Sequence, residues 1–176
     1  MSGQHCRTSG AERQALDLQR PRSLIGKRLA GLDNERYFFA GERVMDDCGD
    51  LQWRCSDASL LSMFLLSDGE SVGTDHQPLH LTPAFELEPG QCCEWRAEDL
   101  LATLSAGHLA GQLITDVAAL FDTWPHLDTS ILSGFMVCFE HGDFLVYYNQ
   151  GDNAVALLNR LPPAAAEFTS TWRSQL

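Results

Sequence analysis

His76 and His80 stand four residues apart in Asp75-His-Gln-Pro-Leu-His80, a spacing that on a helix would aim two imidazoles at one metal ion. Pro78 lies between them and forbids a helix interior. On an extended segment the two rings share a face but stand about 13 Å apart, too far to hold one ion. They are therefore read as surface histidines, and the sequence calls for no metal and no cofactor. His108, His126 and His141 are isolated, and His141 sits in a hairpin turn. Cys138 lies inside Met-Val-Cys-Phe-Glu, where a small core residue is expected rather than a nucleophile. Glu86 and Glu88 alternate with Phe85 and Leu87, which suggests an outward face of a strand rather than a tuned acid–base pair. No nucleophile elbow, zincin helix, phosphate-binding loop, dinucleotide-binding glycine motif or EF-hand spacing occurs. No catalytic residue is assigned.

One group of side chains reads as a contact surface. Asp46, Asp47 and Asp50 fill the loop Met-Asp-Asp-Cys-Gly-Asp, with Trp53 and Asp57 just beyond. An aromatic anchor beside clustered carboxylates suits a basic protein surface.

Charge supports the same expectation. The chain of 176 residues carries a formal net charge of −12, unevenly placed. Residues 1–28 sum to +4 and residues 29–176 to −16. Phosphates would be repelled by such a body, so direct nucleic-acid binding is not expected, whereas a basic protein would be steered toward it. No apolar run approaches the length of a membrane span, and the N-terminus lacks the apolar core of a secretory signal. The six cysteines show no C-x-x-C spacing and read as free thiols. A cytoplasmic location without membrane contact is expected.

The elements that must position these residues are mostly strands. Residues 1–22 read as a flexible, dispensable basic arm with room for a short helix over residues 11–19. Residues 23–176 read as one α+β domain. LQWRC alternates like a strand, and SLLSMFLL-SDGE-SVGT and GFMVCFE-HGD-FLVYYN are hairpins around glycine turns. AVALLN continues the second as a further strand. Residues 95–106 predict a helix, with acids in the first turn and Leu100, Leu101 and Leu104 on one face. HLAGQLITDVAALF fits both a helical and a strand period, and the C-terminal tail has room for a short helix.

SLIGKRLAGLD and HLAGQLITDVA open alike, and each leads to a strand, a glycine turn and a strand. A pseudo-repeat over residues 23–80 and 108–160 follows, with the first copy's extra length near MDDCGD. The expected fold is α+β: a mostly antiparallel, hairpin-rich sheet from two similar halves, with one or two helices packed on it. The LIGKRLAGL opening, the DGE hairpin and the GFMVCFEHGDFLVYYNQGDNAVALLN close resemble small bacterial immunity proteins of polymorphic and contact-dependent toxin systems. That resemblance implies a cytoplasmic inhibitor that binds a cognate toxin or effector domain and covers its active site. Two alternatives stay open: a hydrolase with an unrecognised Cys/His site, and an effector chaperone or adaptor of a secretion system.

Overall fold

The computed structural model describes residues 5–45, 47–165 and 167–174. Two antiparallel sheets face each other across one core. The first contains β1 (Leu29–Phe39), β2 (Glu42–Arg43), β3 (Leu51–Cys55), β4 (Leu60–Leu65), β5 (Val72–Asp75), β6 (Phe85–Glu86) and β7 (Cys92–Asp99). Its order is β5-β4-β3-β1-β7-β6, with β2 also on β1. The second contains β8 (Ile114–Trp124), β9 (Thr129–Phe139), β10 (Phe144–Asn149), β11 (Ala154–Leu158) and β12 (Thr169–Ser174), in the order β11-β10-β9-β8-β12. Helices α1 (Ala11–Gln19) and α2 (Leu100–Thr103) complete the α+β fold.

The two orders are the same plan. In each half a four-stranded meander runs outward from its first strand, and a fifth strand returns to that strand's free edge. The second half therefore includes β12, and the tail read as a helix is a strand paired with β8 from Thr169↔Thr123 to Ser174↔Ala118. The first half likewise extends to β7. The loop between β1 and β3, which carries β2, holds length that the tight β8–β9 connection lacks.

The repeat shows most clearly where the halves join. Gly26 and Gly111 both adopt a left-handed φ, 81° and 84°, which glycine takes without steric cost. Gly26 N donates to Ile114 O (2.9 Å) and Gly111 N to Leu29 O (2.7 Å). Leu29 N donates to Gln112 O (3.0 Å) and Ile114 N to Lys27 O (2.8 Å), around an antiparallel bridge between Arg28 and Leu113. Equivalent residues exchange equivalent bonds, the pattern of an approximate two-fold axis.

Strand alternation builds the core. Leu51, Trp53 and Cys55 of β3, with Leu61 and Met63 of β4, meet Val117, Ala119 and Phe121 of β8 and Phe135, Val137 and Phe139 of β9. Burial of this apolar area is the main stabilising contribution.

Two expectations are corrected. Residues 95–99 are strand, not helix, because β1 offers a free edge and the ladder from Phe39↔Cys93 to Asp33↔Asp99 satisfies both backbones. The helical period survives only in α2, where Asp99 Oδ1 accepts from Ala102 N (3.2 Å) as an N-cap. The second correction concerns the N-terminal segment. Its described residues are docked on the body rather than forming a free arm, because their charged groups find partners there. Arg7 reaches Asp50 and Leu65 O, and Arg13 and Arg20 both bond Thr74 O. Asp17 of α1 is fully buried and accepts from Thr74 N (2.7 Å).

Candidate functional site

The sequence-derived patch does not assemble. Trp53 is 0% exposed; its indole N–H donates to Met63 Sδ (3.4 Å), and its ring faces Phe139 across the core at 6.5 Å. A side chain there touches no partner. Asp50 is 6% exposed and holds Arg7. Asp47 is half-buried and spends its Oδ1 on Gly49 N (2.8 Å) and Ala154 N (2.9 Å). Asp57 is exposed, but it accepts from Ser59 N and Oγ and pairs with Lys27 Nζ (3.1 Å). Those bonds hold its carboxyl low, at about 2. Asp46 lies outside the described residues. The sequence brought these acids together by proximity along the chain; alternation in β3 then sends Trp53 inward.

Side chains that the sequence left scattered meet instead on the outer face of the first sheet. His5 stacks on Phe64 (centroids 4.4 Å apart) and bonds Asp75 Oδ2 through Nδ1 at 2.8 Å. Its buried Nε2 has no hydrogen-bond partner and stands 3.9 Å from Asp50 Oδ2. Glu35 lies beside this group and accepts from Thr82 N (3.3 Å). Two adjoining hollows open here. One, of about 240 Å³, is lined by Arg7, Glu35, Tyr37, Asp50, Thr82 and Trp95, among others. The other, of about 290 Å³, adds His5 and His80.

Burial pushes the Glu35 carboxyl up, and the neighbouring Asp50 charge adds to the effect. Burial also raises Asp50, against the pull of Arg7. A carboxylate-oriented histidine beside a raised carboxyl is suited to proton transfer. The buried Cys48 and Cys55 thiols and the half-buried Cys138 thiol are all raised by desolvation, the opposite of an activated nucleophile; the exposed Cys6 thiol is lowered, chiefly by hydrogen bonding to Thr8. The firm role of this cluster is to fasten the N-terminal segment to the sheet.

Glu35 makes stability depend on pH. Its carboxyl binds a proton more tightly in the folded chain than at its ordinary value of 4.5. Its contribution therefore falls as pH rises through and above that value. Glu35→Gln keeps the acceptor for Thr82 N and removes this slope. The variant is expected to gain stability relative to the native chain on going from about pH 4 to about pH 7. Urea denaturation at the two pH values measures it; a constant difference would refute the assignment.

The second half carries a different cavity, of about 460 Å³, between the β4–β5 turn, the ends of β8 and β10, and the chain at residues 163–165. Trp124, Tyr148 and Phe168 supply aromatic walls, with Trp124 and Phe168 rings 4.8 Å apart. Glu70 and Asp122 supply carboxylates. Asp122 is 2% exposed and accepts from Tyr148 Oη (2.9 Å) and Ser170 Oγ. Burial and the Asp122 bond keep the Tyr148 phenol protonated, well above its ordinary range. Among the described residues no lysine, arginine or histidine lies within ion-pair distance of Asp122 or Glu70.

Sequence reasoning missed this site. Alternation in β8 puts Val117, Ala119 and Phe121 inward, so Asp122 reads as a solvated outward residue. What covers it arrives from residues far away in the chain. Its one local signal is an acid amid the apolar run Ala-Ala-Leu-Phe-Asp-Thr-Trp.

Among the described residues no group of three or more potential ligands could hold a metal ion, and no helix is long and apolar enough to cross a membrane. No family model, curated protein or solved structure matches the chain.

Proposed function

We propose that this chain is a binding protein of the immunity type: a cytoplasmic bacterial inhibitor that captures a cognate toxin or effector domain through a basic surface and blocks its active site. The observation that carries the reading is the distribution of charge once internal pairs are set aside. Among the described residues, only Arg22, Arg160 and Arg173 are basic side chains (lysine or arginine) without a carboxylate partner. The basic N-terminal segment spends Arg7, Arg13 and Arg20 on Asp50 and Asp17. Arg7, Lys27 and Arg28 neutralise Asp50, Asp57 and Glu140 of the body, and the chain keeps a net charge of −12, with the excess in unpaired acids. Glu70 on the cavity wall, the exposed Asp152 near Gly69, and Glu86 and Glu88 beside the exposed Phe85 and Leu87 are left for an external cation.

Such a field speeds capture of a basic partner and repels nucleic acid competing for the same toxin cleft. The raised thiols of Cys48, Cys55 and Cys138 remove those three as ready nucleophiles for Cys/His hydrolysis. The test is co-expression with the toxin encoded beside it. Growth should be rescued, and the purified pair should form a one-to-one complex whose association slows with added salt. Binding without rescue would favour a chaperone or adaptor. Neither binding nor rescue would remove the reading.

A further inference from the structure

We infer that the cavity of the second half is a receptor for a guanidinium group, supplied by an arginine that projects from the bound protein. The inference rests on the binding reading above and adds the chemistry of the contact.

Three features converge. First, Asp122 is a buried carboxylate without a cation. Removing a carboxylate from water is costly, and the two hydroxyls that bond it carry no charge to offset that cost. A carboxylate has room for about four hydrogen bonds, so two sites remain after Tyr148 and Ser170. Second, the walls are aromatic. A planar guanidinium stacks on indole and phenyl faces while its edge donates to a carboxylate, a combination that an ammonium point charge does not match. Third, the size is right. The volume of about 460 Å³ lies within the range of formed ligand pockets. Glu70 lines the same cavity, and Asp152 lies close to its Gly69 wall, where a Cβ on that glycine would stand 3.4 Å from Asp152 Oδ1. Both carboxylates can steer the incoming cation.

A different buried carboxylate, on the first sheet, shows what happens when the cation is internal. There the buried Asp50 holds Arg7 of the same chain. Asp122, at a non-equivalent position of its own half, has no arginine within ion-pair distance among the described residues.

The probe is Nα-acetyl-arginine amide, titrated into the full chain by calorimetry, with Nα-acetyl-citrulline amide as the neutral isostere. Saturable binding of the arginine compound is expected, with the citrulline compound at least about tenfold weaker. Asp122→Asn should weaken arginine binding about 10- to 100-fold. Trp124 is only half-buried, so Trp124→Leu should fold and also lose binding. It carries the test if Asp122→Asn does not fold. Equal binding of the two compounds, no saturable binding, or unchanged affinity in both variants would overturn the inference and leave Asp122 as a staple between β8 and β12. Binding of the probe without rescue of toxin-expressing cells would keep the receptor and discard the immunity reading. Rescue without probe binding would do the reverse.

Discussion

Asp17→Ala is expected to cost the fold about 3–5 kcal/mol, far more than the loss of a surface ion pair, which is worth about 1 kcal/mol or less. The Asp17 side chain is buried between Arg13 of α1, Arg20 just after it, and the backbone of β5. Arg13 Nε donates to both of its oxygens at 2.9 Å, and Arg20 approaches to 3.4 Å. Thr74 donates to Oδ1 from its backbone N and from Oγ1. Alanine would leave two guanidinium groups without their common counter-charge and a buried backbone N–H without an acceptor. Urea unfolding should show the midpoint falling while the slope stays constant. A loss below about 1 kcal/mol would mean that α1 is not part of the cooperative unit. For the same reason, removing residues 1–20 is expected to destabilise the chain, against the dispensable arm that composition suggests.

Trp53→Ala is expected to cost a similar amount, about 3–5 kcal/mol, as large-to-small core substitutions do. The indole fills the space between β3, β4 and β9, so its loss opens a cavity at the contact between the halves. Trp53→Phe should retain much of the stability, because most of the ring volume remains and only the N–H···S contact is lost. Thermal or urea unfolding of the two variants, together with their affinity for the partner, decides the matter. A contact residue would lose affinity with stability intact; a core residue loses stability first.

The elements that local pattern fixes are those that form over short distances in the chain. The hairpins β4–β5 and β9–β10 and the strand β11 were legible because apolar runs flank glycine turns. The like openings around Gly26 and Gly111 announced two similar halves. What was not legible depends on distant pairing. Residues 95–106 read as one helix, and only the free edge of β1, more than fifty residues earlier, draws 95–99 into strand. Residues 1–22 look like a solvated arm until His5 meets Asp75 and Arg13 meets Thr74. For the site, alternation in Leu-Gln-Trp-Arg-Cys already placed Trp53 with Leu51 and Cys55, on the apolar face. The charged loop beside it outweighed that signal. Asp122 gave almost none, since its lid comes from the connection between β11 and β12.

The reciprocal bonds around Arg28 and Leu113 make the molecule, in effect, a dimer carried on a single chain. A gene for one half, duplicated end to end, would give this arrangement with both outer faces alike. Fusion removes the obligation of sameness, since a change on one copy is no longer printed on the other. One outer face now holds the N-terminal segment, whose Arg7 seals Asp50. The other holds Asp122, bonded by two uncharged hydroxyls. A tethered pair can specialise in this way: one copy keeps the structure closed while the other faces outward for recognition.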